Sequence, residues 1–537
     1  MTPDYIIVGS GPAGCALAAR LTEDKGCSVL LLEAGGKDTA LKIAMPAALP
    51  FVYQDKRLSW NEAAGPEPPL DGLTIDEKRG HVLGGGTSIN AMIFNRGNPR
   101  DFDGWAAQGL TGWGWQDVLP YFKRMETFAE GASATRGGTG PVHVSRAPAR
   151  HKMFDLFLRA GEQAGHARPV DHNSGDQEGM HIAHTLIHNG SRMSAPRAYL
   201  HPNRHRPNLD LRTGAHVVRV LFDADRAVGV LLADGTRLMA GREVIVAAST
   251  IGAAKLLLLS GVGPADELRA LGIPVVLDQP NVGRNLENHP GVNLQYSAPH
   301  KDSLVAELGP FGQAKLGVEW ALFRRGLGAS NIFEAGAFLK THPGADYANV
   351  QFEFLPLYRR LIGNKLKVFP GFQMWIDLSR PTSRGHVRLR SANPADAPEI
   401  VFNHLHTEDD RLDMIRSVRL ARDLFAQPAW DGIRQAEVTP GAEARTDAEI
   451  LTWAKTAVGT SYHPSGTCRM AVDPAEGVVD GEGRVHGLQG LRVACAAIMP
   501  RVVTGNLTAT TYMIGEKIAD AFRTAKPAPR RDQCKRM

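Results

Sequence analysis

The chain has 537 residues, of which 43% are hydrophobic and 22% charged, with a formal net charge of +5. These values describe a folded chain of two to four folding units, exclude a disordered one, and give no basis for nucleic-acid binding. The most apolar later stretch, Val244 to Val262, is interrupted by Lys255 and small polar residues, so it does not make a membrane-spanning helix.

The first element in chain order is Tyr5-Ile6-Ile7-Val8, a short apolar run rich in β-branched residues that predicts a buried strand. Asp4 precedes it almost at once and glycines follow, so it reads as a strand rather than a secretory segment. Gly9-Ser10-Gly11-Pro12-Ala13-Gly14 is a tight turn, Cys15 to Leu21 a small-residue helix, and Ser28 to Leu32 a second strand ending at Glu33. This is the size of a βαβ unit. Residues 35 to 80 are rich in Pro, Gly and charge and read as an excursion over the surface. Gly80 to Arg96 reads as a glycine-rich turn leading into a helix.

Residues 208 to 247 resemble a β-meander, with strands at Leu209-Leu211, Val217-Phe222, Val228-Leu232 and Val244-Ala247. Residues 291 to 455 mix strands (Val350-Leu355, Gln373-Leu378, His386-Leu389) with a helix over Asp409 to Phe425, an α+β pattern. The chain closes with a strand at Leu491 to Val493 and a helix from Thr508 to Phe522. The basic tail beyond Pro527 reads as a solvated end.

Cysteines stand at 15, 27, 468, 495 and 534. They are odd in number and irregularly spaced, so no metal site is predicted and a reducing compartment is the simpler expectation. Cys468 reads as a packed thiol.

Three features carry chemistry. Gly9-x-Gly11-x-x-Gly14 follows a strand and opens a helix, with Glu33 placed to accept from ribose hydroxyls. Glycine lets the backbone approach a pyrophosphate, and the helix N-terminus presents unpaired N–H groups to it. The motif does not choose between a nicotinamide and a flavin dinucleotide. The second feature is His463, in Ser461-Tyr462-His463-Pro464-Ser465-Gly466-Thr467, followed by Asn506 in a Gly/Thr-rich segment. Imidazole suits a general base near neutral pH, and Asn506 reads either as its partner or as a helix N-cap. A further cluster, Val82-Leu83-Gly84-Gly85-Gly86-Thr87-Ser88-Ile89-Asn90, offers backbone amides to a flat or anionic ligand. His289, next to Pro290, reads as part of a fixed turn.

Five segments together resemble the glucose-methanol-choline (GMC) family of FAD-dependent oxidoreductases, choline and alcohol dehydrogenase branch: 80–92, 252–264, 281–290, 462–470 and 505–511. They lie in order and extend nearly from end to end. The resemblance implies an α/β FAD-binding Rossmann-like domain, discontinuous over 1–150, 200–290 and 456–525. It also implies an inserted α+β substrate domain with an antiparallel sheet over 151–199 and 291–455, and leaves 526–537 as the basic tail.

It further implies His463 as the catalytic base with Asn506 as partner, and cofactor contacts at Gly9, Gly11, Gly14, Glu33, Val82, Gly85, Asn90, Val218 (or its neighbour Val217) and Ala496. Ile89 stands where some members attach FAD through a histidine, so FAD is expected to be non-covalent. Cys495-Ala496-Ala497 replaces the usual Asp-Ala-Ser near the flavin, and Ser249-Thr250 and Ala254-Lys255 also depart from the family pattern. Glu334 is the expected substrate contact, with Phe333, Phe354 and Trp375 as aromatic neighbours for a cation.

The reaction implied is oxidation of a small-molecule primary alcohol to an aldehyde, with hydride transfer to flavin N5. The acceptor of the electrons is a quinone, another carrier or oxygen. Choline is the alternative substrate, and a flavin-bearing lyase of the same family the alternative class. The expected location is cytoplasmic, with peripheral contact at the inner face of the cell membrane left open. An alcohol with a pKa of ~15.7 lies about nine units above imidazole, roughly 12 kcal/mol, so the base must act within a preorganised site.

Overall fold

The computed structural model describes residues 2–363 and 365–524; the basic tail and Cys534 lie outside the described residues. Tyr5–Val8 is a fully buried strand at the centre of a five-stranded parallel sheet. Val29–Glu33 and Glu243–Val246 flank it, with Leu209–Thr213 and Leu491–Val493 outside them. Burial on both faces explains why these strands read as continuous apolar runs. Helix Pro12–Leu21 follows the first strand, with eight of its ten residues buried. It packs against the closing helix Thr508–Thr524, where a Cβ on Gly515 would come within 2.7 Å of the Ala13 carbonyl oxygen.

Distant segments are tied together at Glu516. Its carboxylate accepts from Arg20 Nε at 2.8 Å, Arg124 Nε at 2.8 Å and the Tyr199 hydroxyl at 2.5 Å.

A second, seven-stranded sheet is built from Gly179–Ile182, Pro290–Ser297, Ala335–Leu339, Val350–Leu355, Gly371–Leu378, Glu437–Thr439 and Gly459–Thr460, all antiparallel. Helix Glu408–Ala426 covers one face. Phe354, Phe372, Phe425 and Trp430 form the aromatic core there, with Phe157 of helix Lys152–Gln163 stacked on Phe354 at 4.8 Å. The molecule is thus an α/β unit with a Rossmann-like parallel sheet plus a unit built on an antiparallel sheet.

Three local expectations change. The meander over 208–247 splits: its two outer strands join the parallel sheet, and only Val217–Asp223, Arg226–Leu232 and Arg237–Met239 form an antiparallel sheet. Strand periodicity identifies strands but not their partners. The segment after Gly80 makes only a 3₁₀ turn, Gly85–Ser88, and the next helix begins at Pro99; three successive glycines disfavour helix. Residues 35–80 contain helices Leu41–Ala44 and Leu49–Gln54 and the hairpin Glu62–Glu67/Leu73–Glu77. They wall a cavity rather than merely crossing the surface.

Candidate active site

One cavity of about 850 Å³ runs from the glycine motif to His463. At one end lie Gly9, Ser10 and Gly11, with Glu33 beside them. Gly9 has φ +101°, and a Cβ on Gly14 would stand 2.0 Å from the Gly9 carbonyl oxygen. Gly14 is therefore fixed by helix–strand packing and does not face the cavity. A Cβ on Gly11 meets no protein atom within 4 Å; the space beside the helix N-terminus is open, as a cradle for an anionic ligand requires. Glu33 accepts from Ser10 N (3.1 Å), Ser10 Oγ (2.5 Å) and Gly35 N (2.8 Å), which braces the loop.

Val218 lies on the same wall. A register irregularity takes it out of the pairing between Val217–Asp223 and Arg226–Leu232, leaving its backbone available to a ligand. Gly85, Asn90 and Ala496 also line the cavity. Asn90 Oδ1 accepts from Met92 N and Arg192 Nη1. Val82 does not line it. Its side chain is fully buried with Ile43, Val52 and Ile89, because a valine beside a glycine turn is drawn into the nearest apolar cluster. These features fit a dinucleotide laid along the wall. Near its reactive end, Ile89 carries no nucleophile, and burial holds the Cys495 thiol up at about 12.

At the other end, Tyr462 takes φ 61° immediately before His463. Met92, Ser249 and Ile332 are likewise left-handed and line the same cavity. Non-glycine residues accept this conformation at a cost of about 1–3 kcal/mol each, and such strain gathers at functional sites.

His463 is 8% exposed, and its Nδ1 lies 3.0 Å from His289 Nδ1. Its Nε2 lies 3.2 Å from Asn506 Nδ2. Asn506 Oδ1 accepts from Asn95 Nδ2 (2.6 Å) and Gln351 Nε2 (3.1 Å), so Nδ2 must face His463 and Glu353 Oε1. Asn95 is held in turn by His172 Nε2 at 3.0 Å.

Hydrogen-bond roles then fix the tautomer. Nε2 faces a donor and so carries the lone pair; the ring proton sits on Nδ1 and is donated to His289 Nδ1. The proton of His289 is left on Nε2, a buried atom that makes no direct hydrogen bond among the described residues. Burial lowers His463 to about 3, keeping it neutral. The spacing of His289 from His463, 174 residues, hid this contact in the sequence.

Asn506 spends both side-chain atoms on these partners and caps no helix. Glu334 is not on the cavity wall. It is 4% exposed and accepts from Ser330 Oγ at 2.6 Å, while its neighbour Phe333 takes the wall position. Phe354 also turns away, into the aromatic core; Trp375 does line the cavity. The wall carboxyl beside Asn506 is instead Glu353, raised to about 7 chiefly by burial.

Cys468 is fully buried, and burial pushes its thiol up. Among the described residues, Asp171, His172 and His184 also cluster. Arg136 Nη1 lies 3.0 Å from both Asp171 oxygens and 3.3 Å from His184 Nδ1, filling the place a cation would take.

Two family models described as GMC oxidoreductase match residues 3–291 and 381–515. The chain is 43% identical to the oxygen-dependent choline dehydrogenase of Brucella anthropi, over 99% of this chain and 98% of that one. Among solved structures it resembles pyridoxine 4-oxidase from Mesorbium loti, at TM-score 0.88 and 28% identity, covering 98% of this chain and 100% of that one. It also resembles formate oxidase from Aspergillus oryzae RIB40, at TM-score 0.91 and 26% identity, covering 97% and 98%.

Proposed function

The chain belongs to the GMC oxidoreductase family, and from that premise we propose that it oxidises a primary alcohol to an aldehyde, with His463 as base. Its members act on CH–OH groups with FAD, and this chain is an FAD-dependent alcohol oxidoreductase. The FAD, when bound, accepts the hydride. Gly9, Gly11, Glu33, Gly85, Asn90, Val218 and Ala496 hold it without a covalent link, a reading supported by Ile89 and by the protonated Cys495. The cofactor unit comprises 1–150, 200–290 and 456–525, and the substrate unit 151–199 and 291–455.

The observation that carries the reading is the pairing of His463 Nε2 with Asn506 Nδ2 at 3.2 Å on the cavity wall, an acceptor and a donor that a substrate hydroxyl can meet by taking the place of their mutual hydrogen bond. Asn506 donates to the reacting oxygen and His463 receives its proton. With His463 at about 3, the gap to an alcohol near ~15.7 is about 13 units, roughly 17 kcal/mol. Proton departure ahead of C–H cleavage is too costly. The proton therefore moves as the C–H bond breaks, with Asn506 stabilising the charge that develops on oxygen.

Anaerobic mixing with a panel of primary alcohols tests this. Bleaching of the visible flavin band is expected, and admission of oxygen then reports whether oxygen, the acceptor named in the relatives, reoxidises it. A flavin that no alcohol bleaches would contradict the reading and favour a lyase. Choline is the second reading, favoured by the relatives' names, and a choline against benzyl alcohol comparison separates the two.

No described helix is long and apolar enough to cross a membrane. Peripheral contact with the inner face of the cell membrane is supported by helix Pro310–Phe323, where Phe311 is 93% and Leu322 69% exposed. Co-sedimentation with anionic vesicles is expected and should fall on Phe311→Asp/Leu322→Asp replacement; unchanged sedimentation would remove the idea.

A further inference from the structure

Resting on the alcohol-oxidation reading, we propose that Arg359 selects alcohols that carry a carboxylate, and that this cavity disfavours cationic alcohols.

Arg359 lies on the hairpin Tyr358–Ile362/Lys365–Phe369, which contributes Leu361, Leu366 and Val368 to the cavity wall. Its backbone is tied on both sides: its N–H donates to Gln373 Oε1 at 2.8 Å, and its carbonyl accepts from Gln295 at 2.7 Å. Arg359 lines the cavity. Among the described residues its guanidinium makes no hydrogen bond or ion pair; the Phe333 ring lies 5.7 Å from the guanidinium carbon.

The other cations of the wall are all matched. Arg79 is paired with Glu62, Lys78 with Asp76 at 2.8 Å, and Lys255 donates to the carbonyls of Pro394 and Asp396 at 2.9 and 2.7 Å. An arginine stays charged even where burial disfavours it, so an unmatched guanidinium on a cavity wall is costly until an anion meets it. A guanidinium fork suits a carboxylate in both shape and charge.

The position ties Arg359 to the substrate end. It interacts electrostatically with Glu353, Tyr53 and Tyr462, and Tyr462 directly precedes His463. Glu353 does not neutralise it by contact, because Oε1 is shared between Asn506 and Gln351 at 3.2 Å each. Burial raises Glu353 to about 7 and Glu77 to about 8, so near neutrality Glu353 is about half ionised and Glu77 mostly protonated, and the two together fall short of offsetting the charge of Arg359. A quaternary ammonium would face that positive charge, with Glu334 turned away from the wall. In the reaction the substrate carboxylate is a spectator. The carbinol C–H gives up its hydride, the O–H proton goes to His463, and the product is the aldehyde bearing the same carboxylate.

The test compares the flavin-loaded enzyme's kcat/KM for para-(hydroxymethyl)benzoate, its methyl ester and choline. A hydrogen-bonded charge pair is worth about 1.5–3 kcal/mol, so the free acid should exceed its ester by roughly 10- to 100-fold at low salt, with the advantage shrinking as salt rises. Arg359→Gln should bring the acid-to-ester ratio close to one, and Arg359→Lys should retain part of it. Benzoate, but not benzamide, should perturb the wild-type flavin spectrum and compete with the alcohol, which needs no variant. An ester or choline turned over as well as the acid, or a ratio unchanged in Arg359→Gln, would overturn the inference while leaving alcohol oxidation intact. If no alcohol reduces the flavin, the underlying reading fails and this inference with it.

Discussion

At the scale of single residues, the imidazole proposed as the base is governed by what its two nitrogens face. His463 Nε2 meets a donor N–H from Asn506 and Nδ1 meets His289. Replacing His289 by Phe removes the acceptor that holds the ring proton on Nδ1, so the ring is free to place it on Nε2 and lose its lone pair there. Such supporting partners are commonly worth 10- to 100-fold. We expect His289→Phe to keep its flavin and its substrate Kd while anaerobic flavin reduction slows by roughly that factor. An unchanged rate, or loss of flavin with normal chemistry in the remainder, would show that His289 only packs. The sequence marked His463 and Asn506 through their surrounding blocks, but not His289, Glu353 or Arg359. Glu353 sits in an alternating strand, Val350–Leu355, where only the choice of face decides whether a side chain meets solvent, core or cavity. That choice is made by pairing with Ala335–Leu339 and Gly371–Leu378, a tertiary fact. The same logic misplaced Glu334: one step along the chain exchanges it with Phe333.

At the scale of elements, the strand–turn–helix at the N-terminus separates packing from ligand binding within one motif. Gly11→Ala adds a methyl group where the protein has open space, at the helix N-terminus beside the cavity. Gly14→Ala drives one into the Gly9 carbonyl oxygen. We expect Gly11→Ala apoprotein to melt within about a degree of the parent but to bind FAD at least tenfold more weakly, and Gly14→Ala to destabilise the apoprotein itself by about 1–3 kcal/mol, as overpacking does. Calorimetry with and without FAD distinguishes them; equal FAD affinity in Gly11→Ala would contradict the cradle. Strand Tyr5–Val8 was legible as a continuous apolar run, since both its faces are buried, and helix Glu408–Ala426 by the period that one-sided burial imprints on its sequence. Residues 35–80 were not, because short helices and a hairpin carry too few turns of any period to register.

At the scale of the molecule, two sheets of different construction meet at one cavity. The parallel sheet brings the glycine motif and the antiparallel sheet brings Glu353 and Trp375, while His463 and Asn506 come from loops that return between them. Family blocks spread from end to end made this assembly readable before any contact was known; the charge facing the substrate was not, since it depends on which cations find partners. The most direct test of the account is single-turnover flavin reduction by an alcohol in flavin-loaded His463→Ala, under anaerobic conditions. General-base removal should slow bleaching by about 10²- to 10⁴-fold with flavin content unchanged. Bleaching at the parent rate would contradict the assignment of His463 as the base.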